Sequence, residues 1–298
     1  VPQQTTVTAQ FYTPPEDLRR YFTTFYSIAI TMPDGQAVTD ALHPEWANLR
    51  FFRGGAPRGW IAGGEAIEGK PFVATGPSSR CAHFVLGTTR GWGVGMLPLG
   101  WANFVGHPAA ACANLVVDGH AHPAFAQFRP LADTLFEAEP DEQGELDRII
   151  AFFRALPRYP TPDSERILAI HAALVDPQIA SVGALVEVVD CPQRTIERIC
   201  DRVFGFSPKL LLRRQRFMRS LTQFMLDPSL RWIGAIDSQY YDQAQFVRDF
   251  HDFMGTSPSE YAARPHPILE KFMHERMRVR GTPAQTLEGP RGAVPVSA

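Results

Sequence analysis

Two short arrays of arginine, glutamine and acid, each set at helical spacing, are the side chains of this sequence best suited to chemistry. Within residues 192–203, Ile196, Ile199, Cys200 and Val203 fall at i, i+3, i+4 and i+7, which makes one buried stripe of a helix. At 100° per residue the opposite face carries Arg194, Arg198, Asp201 and Arg202. Further on, Phe246, Phe250 and Phe253 form the buried stripe. Ala244, Arg248, His251 and Asp252 then face outward, with Gln243 and Gln245 at the amino end. A guanidinium fork makes paired hydrogen bonds to phosphates and to guanine edges, and a glutamine amide can do the same with adenine.

Other candidates are weaker. His120-Ala-His122 resembles the metal-binding pair of cupin enzymes, and two histidines two apart on a strand would point to one face. The cupin pattern continues with a glutamate, where this chain has Gln127, and the nearest acid is Asp118, before the pair. Surface or turn histidines are therefore expected, and no metal. His43, His83 and His107 are scattered. Trp46, Phe51, Phe52, Trp60, Phe72, Trp92 and Trp101 could line an apolar ligand pocket or simply fill a core. Cys81, Cys112, Cys191 and Cys200 lack metal-like spacing; Cys191 would open a helix, where a lowered pKa could make it a redox switch, and Cys200 is expected in the core. The sequence holds no glycine-rich phosphate loop, no Gly-x-Ser-x-Gly elbow and no paired-carboxylate motif. No catalytic residue, no cofactor and no enzyme activity are expected.

The elements that must position the arginines form an internal repeat at an offset of 50 residues. Gly205-Phe-Ser-Pro208 recurs as Gly255-Thr-Ser-Pro258, Arg198 as Arg248, Ile196 and Cys200 as Phe246 and Phe250, and Val182 and Val186 as Trp232 and Ile236. Each copy reads as a helix-turn-helix. In the first, a helix over 182–188 meets a turn at Val189-Asp190-Cys191, and a second helix starts at Pro192. Gly205 and Gly255 suit left-handed C-caps, with Ser-Pro capping the following helices.

Arg194-Thr-Ile-Glu-Arg-Ile-Cys-Asp-Arg-Val-Phe-Gly-Phe-Ser-Pro208 and Tyr240-Tyr-Asp-Gln-Ala-Gln-Phe-Val-Arg-Asp-Phe-His-Asp-Phe-Met-Gly-Thr-Ser-Pro-Ser-Glu-Tyr261 closely resemble the DNA-binding domain of the AraC/XylS transcription regulators, over roughly residues 164–264. Many members have glycine at the turn before each recognition helix; here Asp190 and Gln239 stand there, and a left-handed Gln would cost about 1 kcal/mol. The resemblance implies two recognition helices in successive major grooves. Carried over by position, Arg194, Glu197, Arg198, Gln243, Ala244 and Arg248 would read bases, while Arg202, Lys209, Arg213 and Arg214 would meet phosphates. Residues 191–220 hold eight basic against two acidic side chains, and 221–262 hold two, Arg231 and Arg248, against six acids. The first unit and the linker helix are thus expected to supply most of the affinity.

Overall charge is close to balanced, with 29 Lys+Arg against 31 Asp+Glu, and that average alone would argue against a nucleic-acid binder. Only Lys70, Lys209 and Lys271 are lysines. The start lacks the apolar core of a secretory signal, and the apolar stretch 91–105 is interrupted by Gly91, Gly93, Gly95, Pro98, Gly100 and Asn103; a reduced, cytoplasmic protein is expected. Residues 11–117, rich in Gly, Pro and aromatics, contain short apolar runs such as Tyr26-Ser-Ile-Ala-Ile-Thr31, Leu49-Arg-Phe-Phe52 and His83-Phe-Val-Leu86, which read as strands. Tyr12-Thr-Pro-Pro-Glu-Asp-Leu18, Leu42-His-Pro-Glu-Trp-Ala-Asn-Leu49, Thr75-Gly-Pro-Ser-Ser79 and Gly93-Val-Gly-Met-Leu-Pro98 resemble the cupin-like N-terminal domain of some such regulators. The expected architecture is α+β: a β-rich sensor or dimerisation domain over 1–160, a DNA-binding domain over 161–265, and a largely disordered extension over 266–298, with residues 1–10 disordered too. The expected partners are double-stranded DNA, a small-molecule effector, a second copy of the chain, and RNA polymerase if the protein activates; no membrane is expected. A cupin-type metalloenzyme, or a front domain that only dimerises, fused to the DNA-binding module is the alternative.

Overall fold

A computed structural model describes residues 5–227, 229–230 and 232–290. The N-terminal half is built of strands β1 (Thr6–Tyr12), β2 (Phe22–Thr31), β3 (Val38–Leu42), β4 (Asn48–Gly54), β5 (Arg58–Ile61), β6 (Ile67–Glu68), β7 (Phe72–Thr75), β8 (Ala82–Leu86) and β9 (Thr89–Met96), followed by helix α1 (Pro98–Phe104) and strand β10 (Val116–Asp118). They form two antiparallel sheets, one in the order β1-β2-β9-β4-β7-β10 and one in the order β3-β8-β5-β6. The expected runs lie in β2, β4 and β8. Gly93 in β9 is required by close approach: a Cβ there would sit 1.9 Å from Cζ of Tyr26, the residue opposite it in β2.

Helices follow: α2 (Arg129–Thr134), α3 (Glu142–Ala155), α4 (Ser164–Val175), α5 (Val182–Val189), α6 (Gln193–Ile199), α7 (Pro208–Leu226), α8 (Trp232–Ala235), α9 (Gln243–Met254), α10 (Pro258–Ala262) and α11 (Pro267–Arg280). The N-terminal antiparallel sheets and the helical C-terminal region give the α+β class that the sequence implied.

Both segments read as disordered are instead structured where they are described. Residues 6–12 pair with β2 along their whole length, and Phe11, only 4% exposed, stacks on Tyr26 at 5.0 Å. Residues 267–280 form α11, whose Ile268, Leu269 and Met273 are buried and whose Phe272 meets Phe11 and Tyr26. Composition concealed both, because the surfaces that cover Phe11, Ile268, Leu269 and Met273 lie far away in the sequence. Residues 1–4 and 291–298 lie outside the described residues.

Two apolar cores result, and both cross the Pro-rich segment between α3 and α4. In one, Phe22, Trp46 and Phe104 join Ile196, Ile199 and Phe204; in the other, Ile28, Phe52 and Phe84 join Phe246, Phe250 and Met273. Each helix-turn-helix thus shares its interior with a strand-bearing part of the N-terminal half.

Candidate nucleic-acid interface

The first unit begins at α5, where Ser181 Oγ accepts from Ala184 N at 3.1 Å. Its C-cap, Asp190, has φ 49° and ψ 53°, so an aspartate takes the left-handed turn between the two helices. Cys191 behind it is buried, and Pro192 caps α6. Ile196, Ile199, Cys200 and Val203 are buried as the spacing implied, but after Ile199 the helix widens into a π turn over Cys200–Phe204, closed by Gly205 N donating to Cys200 O at 2.9 Å. Gly205, at φ 83°, is the left-handed cap. Burial pushes the Cys200 thiol up to about 12, in keeping with a core role.

The second unit turns differently. Asp190 and Asn114 are the non-glycine residues with positive φ among those described, so Gln239 is not left-handed and carries no such strain. Asp237 forms the turn, its Oδ1 accepting from Gln239 N at 2.9 Å and its carbonyl from Tyr240 N at 3.0 Å. Asp242 caps α9 by accepting from Gln245 N at 2.7 Å. Phe246, Phe250 and Phe253 are buried, and Gly255 ends the helix at φ 69°. Ser207 and Ser257 cap α7 and α10, the latter with Glu260 in a reciprocal box.

Arg194, Glu197 and Arg198 on α6, and Gln243, Ala244 and Arg248 on α9, are all exposed. α7 packs on α4 and α5 at one end and on α8 and α9 at the other, holding the two units as one block. Several of these side chains have intramolecular partners. Gln193 Nε2 donates to Glu197 Oε1 at 2.8 Å. Asp163, preceding α4, lies 2.7 Å from Arg202 Nη2 and 3.5 Å from Arg198 Nη2, and also pairs with Arg166. Burial would raise its carboxyl, but the guanidinium groups of Arg202, Arg166 and Arg198 outweigh that and hold it below the usual range.

The expected phosphate contacts separate into three groups. Lys209 is exposed. Arg213 is engaged: its Nη2 lies 2.5 Å from Asp249 Oδ1 and 2.7 Å from Asp252 Oδ2. Arg214 corrects the expectation. It is fully buried, stacks over Trp46 at 4.1 Å and donates to the Ser78 carbonyl at 2.8 Å, on the side of α7 that faces the sheets. Arg216 pairs with Asp249 at 3.2 Å and Arg219 with Asp237 at 2.5 Å. The positive linker helix and the acidic second unit therefore neutralise one another; Arg231, counted in that balance, lies outside the described residues.

The ion pairs of Asp163 and Asp249 were not apparent in the sequence, where Asp163 reads only as a cap of α4. The complementary charge of the two windows was the signal that could have found Asp249. Tyr241, 95% exposed just before the Asp242 cap, was also missed.

The N-terminal half holds a cavity of about 60 Å³ between the sheets, walled by Ile28, Phe52, Val73 and Phe84 and by Ile268 and Phe272 of α11. Arg50 borders it, already bonded to Glu45 at 2.5 Å, Tyr26 OH at 3.0 Å and Thr75 Oγ1 at 3.0 Å. Of the seven aromatics considered, Phe52 and Trp92 line this cavity; Trp46, Phe51, Phe72 and Trp101 are buried in packing, and Trp60 stacks on His83 at 5.4 Å. His120 and His122 do not share a strand face, since β10 ends at Asp118. His120 Nε2 lies 3.0 Å from Asp133 Oδ1, while His122 Nδ1 accepts from Ala124 N at 3.3 Å. No cluster of three or more His, Cys, Asp or Glu able to hold a metal occurs among the described residues. No helix among them is long and apolar enough to cross a membrane.

Residues 185–264 match a family model described as a helix-turn-helix domain. No curated protein matches the chain. Among solved structures, ToxT from Vibrio cholerae is similar at 11% identity, covering 88% of this chain and 98% of its own, with a TM-score of 0.45. ToxT bound to (E)-4-(8-methylnaphthalen-1-yl)but-3-enoic acid gives the same values. Wild-type ToxT bound to an unsaturated fatty acid is similar at 11% identity, covering 88% of this chain and 96% of its own, with a TM-score of 0.41.

Proposed function

From the AraC-type DNA-binding helix-turn-helix domain that this chain carries in its C-terminal part, we propose a sequence-specific transcription regulator controlled by a small apolar effector. The reading is supported above all by one observation: two exposed polar helix faces, on α6 and α9, are fixed to one another through α7. Arg194, Glu197 and Arg198 read one half-site, with guanine and cytosine as the natural partners of arginine and glutamate; Gln243, Ala244 and Arg248 read the next, with adenine, a thymine methyl and guanine. Arg202 and Lys209 grip phosphates. A homodimer on paired half-sites gains affinity through effective concentration.

The effector site is the cavity between the sheets. Its walls are apolar, and Arg50 is already engaged, so the ligand needs no charge. At about 60 Å³ it is far smaller than an ordinary ligand pocket, so binding must move a wall. Residues 1–160 act as sensor and 161–265 as DNA reader. Capture and sequencing of bound genomic fragments should return one recurring motif. On that motif at fixed salt, Arg198→Ala should weaken binding more than Arg248→Ala; equal losses, or fragments with no shared sequence, contradict the reading. Thermal-shift measurements with apolar metabolites test the cavity separately, since a ligand of the native state raises the midpoint.

A further inference from the structure

The passage from β7 to β8, residues 76–81, takes in Gly76-Pro-Ser-Ser79 and touches both helix-turn-helix units and the helix that links them. Pro77 lies under the cap of the first recognition helix, where a Cβ on Gly205 would meet Pro77 Cβ at 3.1 Å. The Ser78 carbonyl accepts from buried Arg214 in the middle of α7. Cys81 N donates to Phe253 O at 2.9 Å and its thiol to Met254 O at 3.4 Å, at the end of the second recognition helix. Six residues thus contact the first unit, the linker helix and the second unit in turn.

The same passage is rigidly set on the sensor. Ser78 N donates to Glu45 O and Glu45 N to Ser78 Oγ, both at 2.9 Å. Asn114 Oδ1 accepts from Ser79 N and Arg80 N at 2.8 and 3.3 Å, while Asn114 N donates to Pro77 O at 2.8 Å. The strands on either side wall the cavity, β7 through Val73 and Thr75, β8 through Ala82 and Phe84. Close-packed interiors transmit displacement rather than absorb it.

We infer that residues 76–81 are the coupling element through which the cavity between the sheets governs the placement of both recognition helices. The inference rests on the cavity being the effector site and adds the route by which occupancy reaches DNA. Arg214 fits that role. Burial without a carboxylate partner pushes its guanidinium down to about 9, and its Nε and Nη2 lack hydrogen bonds in the docked arrangement. A cation held this way costs free energy that undocking returns, so the seam is poised rather than locked.

Coupling is reciprocal, so DNA must be felt at the cavity wall. The test is amide hydrogen exchange on the full chain, with and without a mixed-sequence duplex at low salt. DNA should slow exchange in α6 and α9 and change it by about fivefold or more across residues 72–86, leaving β1 unchanged. In Arg214→Met the helices should still respond and residues 72–86 should not; if that variant folds poorly, Ser78→Ala, which removes one of the two bonds between the passage and Glu45, should weaken the response of residues 72–86. A wild type whose helices respond while residues 72–86 do not overturns the coupling and leaves DNA binding intact, as do variants that respond like wild type. Helices that ignore DNA overturn both. Failure of every apolar metabolite in the thermal-shift measurement bears on the effector site alone.

Discussion

Arg214 occupies the middle of α7 and reaches away from the DNA-facing side, to Ser78 and the Trp46 ring. Its neighbours Arg213, Arg216 and Arg219 are held by Asp249, Asp252 and Asp237. The proposed phosphate grip is therefore narrower than arginine content suggests. Lys209→Ala should reduce the slope of log affinity against log salt by about 1, and Arg214→Met should leave it unchanged; binding titrations across a salt series measure both. Asp163→Asn should act in the opposite direction, since Arg198 and Arg202 lose a competitor for phosphate and base edges. Because both arginines are substantially exposed, the gain should be severalfold at most, about 1 kcal/mol or less, read at fixed salt. The exposed faces of α6 and α9 were legible from helical period alone. The direction taken by Arg214 was not, because the sequence does not say which flank of a helix between two bodies meets the second body.

Elements that stand by their own pattern were legible, and those that depend on a distant partner were not. α9 has Phe246, Phe250 and Phe253 on one stripe and a Gly stop, both legible in the sequence, and the structure adds the Asp242 cap. Phe250→Ala should cost about 3–5 kcal/mol in urea unfolding, because the ring is fully buried against Phe217 and Trp232. α11 was legible as a helical pattern to about residue 275, with Ile268, Leu269, Phe272 and Met273 at helical spacing, but the partner that those side chains meet was not. Its start is fixed from afar, by Asp40 of β3, whose Oδ2 accepts from Ile268 N at 2.8 Å and Leu269 N at 3.0 Å. Asp40 Oδ1 also faces His266 at 3.3 Å. Asp40→Ala should therefore speed amide exchange in α11 by roughly tenfold, the size of a lost helix cap, while leaving α9 unaffected.

Across the molecule, the two cores bind the strand-bearing half and the helical half into one cooperative body, so chemical unfolding followed by tryptophan emission and by helical ellipticity should give coincident transitions. Acid should dissolve that body. Burial lowers His43 and His171 to about 3, from an ordinary value near 6.5. Between those values the unfolded chain binds protons that the native state excludes, so stability is lost as pH falls below about 6.5. His266 has the opposite sign: burial would lower it, but Asp40 and the Tyr261 carbonyl prevail and raise it, so its contribution is full in acid and fades as pH rises through its folded value. The two buried histidines outweigh it, at about 2–3 kcal/mol each by pH 4, and the urea midpoint should drop steeply between pH 6.5 and 4. Sequence alone suggested two domains, because Pro157, Pro160 and Pro162 punctuate the chain without marking where its interior divides. The far end of the chain makes that plain. Gln285 bonds Trp46 N at 2.9 Å and Ala47 O at 3.0 Å, and Phe272 lies against the first two strands. A ribosome delivers Gln285 a full 239 residues after Trp46, so the backbone just ahead of β4 that Gln285 closes stays open through all the synthesis between them.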